Sequence, residues 1–167
     1  MSEVQNGTRT RTITWEDPLP SAQQARAMSG LEYLRAMQRG EFPPSPLAVL
    51  MGISAAEIEE GRVVLSVQPA EYHYNPIGVV HGGLAATLLD SAMACAVHST
   101  LPAGEGYTTL EIKVNYVRAL TSKTGEVRAE ASVIHRGGRV ATAEGRLIGP
   151  DGTLYAHGTT TCIIIRP

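Results

Sequence analysis

Residues 82–101 form a long apolar stretch, and one carboxylate, Asp90, stands in its middle. Between Gly82 and Gly104 no other side chain carries a full charge. The stretch is long enough for about five helical turns. It could tempt a membrane assignment, but a central Asp costs about 2.5–3.5 kcal/mol on insertion scales. His98 and several Ser and Thr side chains add to the polar content. The first twenty residues are polar and contain no apolar signal core. A soluble, cytoplasmic protein is therefore expected, with this helix inside it and no membrane partner.

The pattern on either side says what surrounds the helix. The chain of 167 residues suits one domain of ordinary size. Residues 1–20 read as a tail with little core of its own. Ser21 is placed to cap a helix running to Gln38 or Arg39 and stopped by Gly40, with Ala25, Met28, Leu31, Leu34 and Met37 on one face. Ser45 and Pro46 start a second, short helix. The period then changes from helical to alternating. Two strands are expected around Glu59, Glu60 and Gly61, and four more over residues 107–118, 125–135, 139–148 and 154–166. Leu110, Ile112, Val114 and Tyr116 alternate with Thr109, Glu111, Lys113 and Asn115, which predicts one buried and one polar face. A single antiparallel sheet has one face to cover, and one helix can cover it. The expectation is an α+β fold in which the sheet curls around the helix. It divides into a helical extension over residues 1–45 and a main domain over 46–167.

Several chemistries are disfavoured. The net charge is -2 and no long basic run occurs, which argues against a nucleic-acid partner. Cys95 and Cys162 stand apart in apolar stretches and read as buried thiols. No His/Cys cluster has metal-ligand spacing, so no metal site is expected. Neither a dinucleotide fingerprint, a P-loop nor a nucleophile elbow is present.

What remains gathers around the apolar helix. His81, Gly82 and Gly83 lead into it, and a helix N-terminus offers unpaired N–H groups to an anion or a developing oxyanion. The pair of glycines also reads as an ordinary turn. Asp90 has Ala86, Thr87, Met93 and Ala94 as helical neighbours and no cation among them, so no local ion pair explains it. It can serve as base or nucleophile, or accept structural hydrogen bonds. Asn75, held by Pro76, can orient a carbonyl or merely form a turn.

The segment from Asn75 to Ala92, NPIGVVHGGLAATLLDSA, resembles the signature of hot-dog-fold acyl-CoA thioesterases. It is most similar to the branch related to the phenylacetate-pathway and 4-hydroxybenzoyl-CoA thioesterases. The resemblance spans roughly residues 46–165. It implies a sheet wrapped around one central helix and hydrolysis of an acyl-CoA to a free acid and CoA, with no cofactor. Asp90 is then the nucleophile or general base, and the Gly82 N–H polarises the thioester carbonyl. Asn75 and His81 shape that end of the site. Thr109, or Thr108 as the alternative, helps position water. Gly83 belongs to the substrate end. Arg136, Gly137, Gly138 and Arg139 are the candidates for contact with the CoA phosphates.

Two other functions remain at this point. A hot-dog hydratase or dehydratase handles the same thioesters, but no His paired with an acid accompanies His81. A non-catalytic acyl-CoA-binding module would have no need of Asp90. Gly82 and Asp90 lie eight residues apart, about 12 Å along one helix. One helix therefore cannot present both to one carbonyl. A homodimer or homotetramer with shared active sites is expected, in agreement with the resemblance.

Overall fold

The computed structural model describes residues 7–166. Residues 1–6 of the expected extension, and Pro167, lie outside the described residues. Helix α1 spans Pro18–Ala25, with the Asp17 side chain accepting from the Leu19 N–H at 2.9 Å. Helix α2 spans Gly30–Gln38. The sequence pattern predicts one helix capped at Ser21. Two are found, capped at Asp17 and Ser29.

The apolar spacing is continuous across the break, so its cause lies elsewhere. At Ser29 a capping box forms with Glu32, and the Gly30 N–H donates to the Leu101 carbonyl at 2.9 Å. A Cβ on Gly30 would sit 1.8 Å from the His98 carbonyl oxygen. The chain restarts its helix where it must pass against another element's backbone, and only glycine fits there. α2 buries Leu34 and Ala36, and Leu34 joins the main core.

Helix α3, Pro46–Met51, follows the sequence reading, with Ser45 as cap and Gly52 at φ 72° as its left-handed stop. Strands β1 (Ile53–Glu59) and β2 (Arg62–Val67) form a hairpin. The long helix α4 covers Gly82–His98. Strands β3 (Gly106–Tyr116), β4 (Val127–Arg136), β5 (Val140–Ile148) and β6 (Leu154–Ile165) follow. The sheet order is β1-β2-β4-β5-β6-β3, and every neighbouring pair is antiparallel.

The sheet wraps α4, which touches all six strands. Large side chains on the helix meet small ones on the sheet. Leu88, Leu89 and Met93 are fully buried, as are Ala129, Ala141 and Ala143 opposite them. At Gly145 a Cβ would already stand 3.1 Å from both Leu89 and Met93. Interiors packed at this density tolerate little added volume.

Strand β3 departs from its expected alternation. Ile112 and Val114 pack on the core, but Leu110 is 59% exposed and Tyr116 58%. The pairing with β6 shifts between Thr109 and Glu111, which leaves Leu110 as a bulged residue. One extra residue reverses the facing of everything before it. Thr109, expected on the polar face, is thereby brought toward α4.

The N-terminal tail is fastened to this frame. The Arg11 guanidinium donates to the Leu50 and Val49 carbonyls at 2.8 and 3.3 Å and lies 3.9 Å over the Tyr72 ring. Arg9 pairs with Glu71 at 2.7 Å. Among the described residues, no helix is long and apolar enough to cross a membrane.

Candidate active site

Asp90 is half-buried in the middle of α4 and lines a cleft of about 870 Å³. The Thr109 hydroxyl donates to its Oδ1 at 3.0 Å. Thr108, the alternative from the sequence, lines the same cleft without this bond. The other carboxylate oxygen, Oδ2, has no hydrogen-bond partner among the described residues. Cys95 shares the cleft, and burial, with the Asp90 charge adding, pushes its thiol up to about 12. A thiol held protonated is no competing nucleophile. Tyr107, pushed well above its ordinary range mainly by burial, is equally neutral. Among the described residues, Asp90 is the only carboxylate that lines this cleft.

The start of α4 is a second location. His81 caps the helix, its Nδ1 accepting from the Gly83 N–H at 2.8 Å. That bond occupies the Gly83 donor, and a Cβ on Gly83 would meet the imidazole at 2.8 Å. The Gly82 N–H has no partner among the described residues. Asn75 closes the preceding loop, its Oδ1 accepting from the N–H groups of Ile77 and Val79 at 3.1 and 3.3 Å. Its role here is the turn, and its amide NH₂ is left over. The His81 N–H donates to the His73 carbonyl at 2.8 Å, which holds the loop against the fold.

Sequence reasoning missed a residue at this end. The Tyr116 ring packs over Gly82, 3.2 Å from where a Cβ would be. Together with His81, Val117, Arg118 and Leu120 they line a separate cleft of about 330 Å³. No local pattern marks Tyr116, because it comes from the far end of β3.

The structure therefore brings Asp90 and Thr109 together, and separately His81, Gly82 and Asn75. Asp90 and Thr109 line one cleft, His81 and Gly82 another, and Asn75 lines neither. Arg136 donates to Glu105 at 3.1 Å, and Arg166 donates to the same carboxylate at 2.9 Å. Arg139 forms no ion pair among the described residues, and Gly137 closes the turn through its N–H to the Val140 carbonyl at 2.8 Å. Gly138 has open space around its Cα. No group of three or more potential metal ligands occurs among the described residues.

Comparison with known proteins shows what the chain is similar to. Residues 77–156 match the thioesterase superfamily model. Human acyl-coenzyme A thioesterase 13 is 30% identical over 132 residues, covering 78% of this chain and 90% of that protein. The 1,4-dihydroxy-2-naphthoyl-CoA hydrolase of Listeria monocytogenes is 29% identical over 87 residues, 52% of this chain and 69% of the relative. A phenylacetic acid degradation-related protein of Ralstonia eutropha JMP134 superposes with TM-score 0.70 at 30% identity, covering 77% of this chain and 97% of that one.

Proposed function

The chain belongs to the thioesterase superfamily and is a hot-dog-fold thioesterase, and from that premise we propose that it hydrolyses an acyl-CoA to the carboxylic acid and CoA, with Asp90 delivering the attack. The observation that carries this reading is the Asp90 carboxylate, held by Thr109 at one oxygen and unpartnered at the other, on the wall of an apolar cleft. The thioester carbonyl sits against the Gly82 N–H, where the helix N-terminus stabilises the oxyanion. Asp90 either adds to the carbonyl carbon, forming an anhydride that water then opens, or takes a proton from a water that adds instead. In both routes the C–S bond breaks and CoA leaves as the thiol. Water is the only co-reactant, so no metal or cofactor is required.

The site is shared between two copies. Gly82 and Asp90 are about 12 Å apart on one straight helix, and reacting groups must meet one carbonyl at about 3 Å. A two-fold axis places the α4 N-terminus of one subunit beside Asp90 of the other. The separate clefts at the start and beside the middle of α4 support this, as does the outer edge of β3. That edge is unpaired in the sheet and carries exposed Leu110 and Tyr116, whereas α2 and α3 pack against β1 at the opposite edge. Two such dimers can join as a tetramer. His81 and Asn75 hold the oxyanion loop in shape, and Arg139 with the Gly137-Gly138 turn meets the CoA phosphates. Arg136 contributes to the extent that Glu105 releases it. The compartment proposed is the cytoplasm.

Asp90→Asn tests the chemistry, because it keeps shape and removes charge. Thiol release from acyl-CoA should fall on the order of 10³-fold or more, with circular dichroism unchanged. Near-normal kcat in the folded variant would sink the assignment.

A further inference from the structure

The cleft at Asp90 is walled on one side by the helical segment ahead of β1. Leu34 and Met37 come from α2, Phe42 from the link after it, and Leu47 and Ala48 from α3. Ile58 and Leu65 of the first hairpin face them across the space. Its volume of about 870 Å³ is near the top of the range for small-molecule sites, roughly 300–1,000 Å³. At about 30 Å³ per heavy atom, water's share in the liquid, an aryl acyl group of roughly nine heavy atoms fills under a third of it. A straight chain of about 16 carbons fills more than half.

The chemistry of the wall agrees. On its N-terminal side, the polar side chains are satisfied within the protein. Gln38 donates to the Ala56 carbonyl at 3.1 Å, the Ser45 hydroxyl accepts from the Ala48 N–H at 3.2 Å, and Ser54 and Ser66 bond each other at 3.1 Å. None of them requires a polar substituent on the ligand. The two aromatic rings on the wall are engaged as well. Phe42 packs edge-on to Tyr33 and Tyr107 edge-on to His98, each with centroids 5.2 Å apart. What remains on that side are Leu34, Leu47, Ile53, Ile58 and Met37, surfaces that adapt to a flexible chain, while Asp90, Ser91, Tyr107 and Thr108 lie on the opposite side, toward the reacting end.

We propose that the N-terminal helices select a long, unbranched aliphatic acyl chain as the substrate, enclosing it between α3 and Asp90. Arg11 fixes that wall, because it holds the α3 C-terminus through the Val49 and Leu50 carbonyls. The inference rests on the thioester reading above and adds the class of acyl group.

The full chain should be assayed on butanoyl-, octanoyl-, dodecanoyl-, hexadecanoyl-, benzoyl- and phenylacetyl-CoA. The dodecanoyl and hexadecanoyl esters should exceed both aryl esters in kcat/KM by at least about tenfold, as several buried methylenes allow. Ala48→Trp, which puts bulk into the cleft, should lower kcat/KM for hexadecanoyl-CoA at least about tenfold more than for butanoyl-CoA. Arg11→Ala should raise KM for the hexadecanoyl ester more than for the butanoyl ester, and it serves where the Trp variant does not fold. Independently of turnover, cis-parinaric acid, a fluorescent long-chain fatty acid, should bind Asp90→Asn and be weakened by adding Ala48→Trp. Preference for the aryl esters would overturn the inference and leave the thioesterase reading standing. Failure to hydrolyse any ester would remove that reading, and parinaric acid binding would then decide the chain pocket alone. Absence of such binding, or equal losses on all esters in both folded variants, would overturn it.

Discussion

Thr109 gains its position from a residue that does not touch Asp90. With Leu110 bulged out of the pairing, the hydroxyl reaches the carboxylate at 3.0 Å. A hydrogen bond to a charged group contributes about 1.5–3 kcal/mol. If Thr109 aligns Asp90 for attack, Thr109→Val should cost about tenfold to a hundredfold in kcat/KM, and Thr109→Ser should restore most of it. Steady-state assays on one acyl-CoA check this. A Val variant as active as the parent would make the bond an ornament of packing. The same bulge explains what the sequence could and could not disclose. Residue types alternate from Thr109 to Tyr116, so within that run nothing marks Leu110 as the inserted residue. It exists only in the register with β6. Asp90 was legible because charge in an apolar helix is visible in one dimension, and the Gly82 end because glycines before a helix are. Tyr116 was not, because it meets Gly82 only once β3 is laid beside α4.

At the level of elements, the order of strands and helices followed from hydrophobic period, and the short helix at Pro46 from its cap and proline. The division of the first helix did not. Its apolar spacing runs through the break, whose cause is the backbone of α4 some seventy residues away. Gly30 should therefore be intolerant of even one methyl group. Gly30→Ala places a Cβ 1.8 Å from the His98 carbonyl oxygen and 2.1 Å from its ring. α2 must then lift from the core, at a cost on the order of 1–3 kcal/mol, plus the Gly30–Leu101 hydrogen bond. Ser29→Ala, which removes only the cap, should cost about 1 kcal/mol. Urea unfolding of the two variants should rank them in that order. Equal midpoints would mean that α2 is held by its cap and not by its seat on α4.

For the whole molecule, shared sites predict complementation. Asp90→Asn lacks the attacking group, and Gly82→Val crowds the oxyanion end against Tyr116, already 3.2 Å from a Cβ at that position. Each alone should be inactive. Refolded together with random pairing, half the dimers are mixed and one of their two sites is whole, giving about a quarter of parental activity. A mixture that stays inactive while mixed dimers are seen by native mass spectrometry would refute sharing. The edge through which the copies would meet has a further consequence. A free strand edge is a template for any other strand, and a newly made chain is surrounded by them. β3 is not a uniform template, because its bulge interrupts the row of donors and acceptors at Leu110. A second copy carries the matching interruption, and a foreign strand does not. If the copies meet through this edge, the irregularity that turns Thr109 toward Asp90 would also act as a filter on company, favouring a twin before either has a substrate to share.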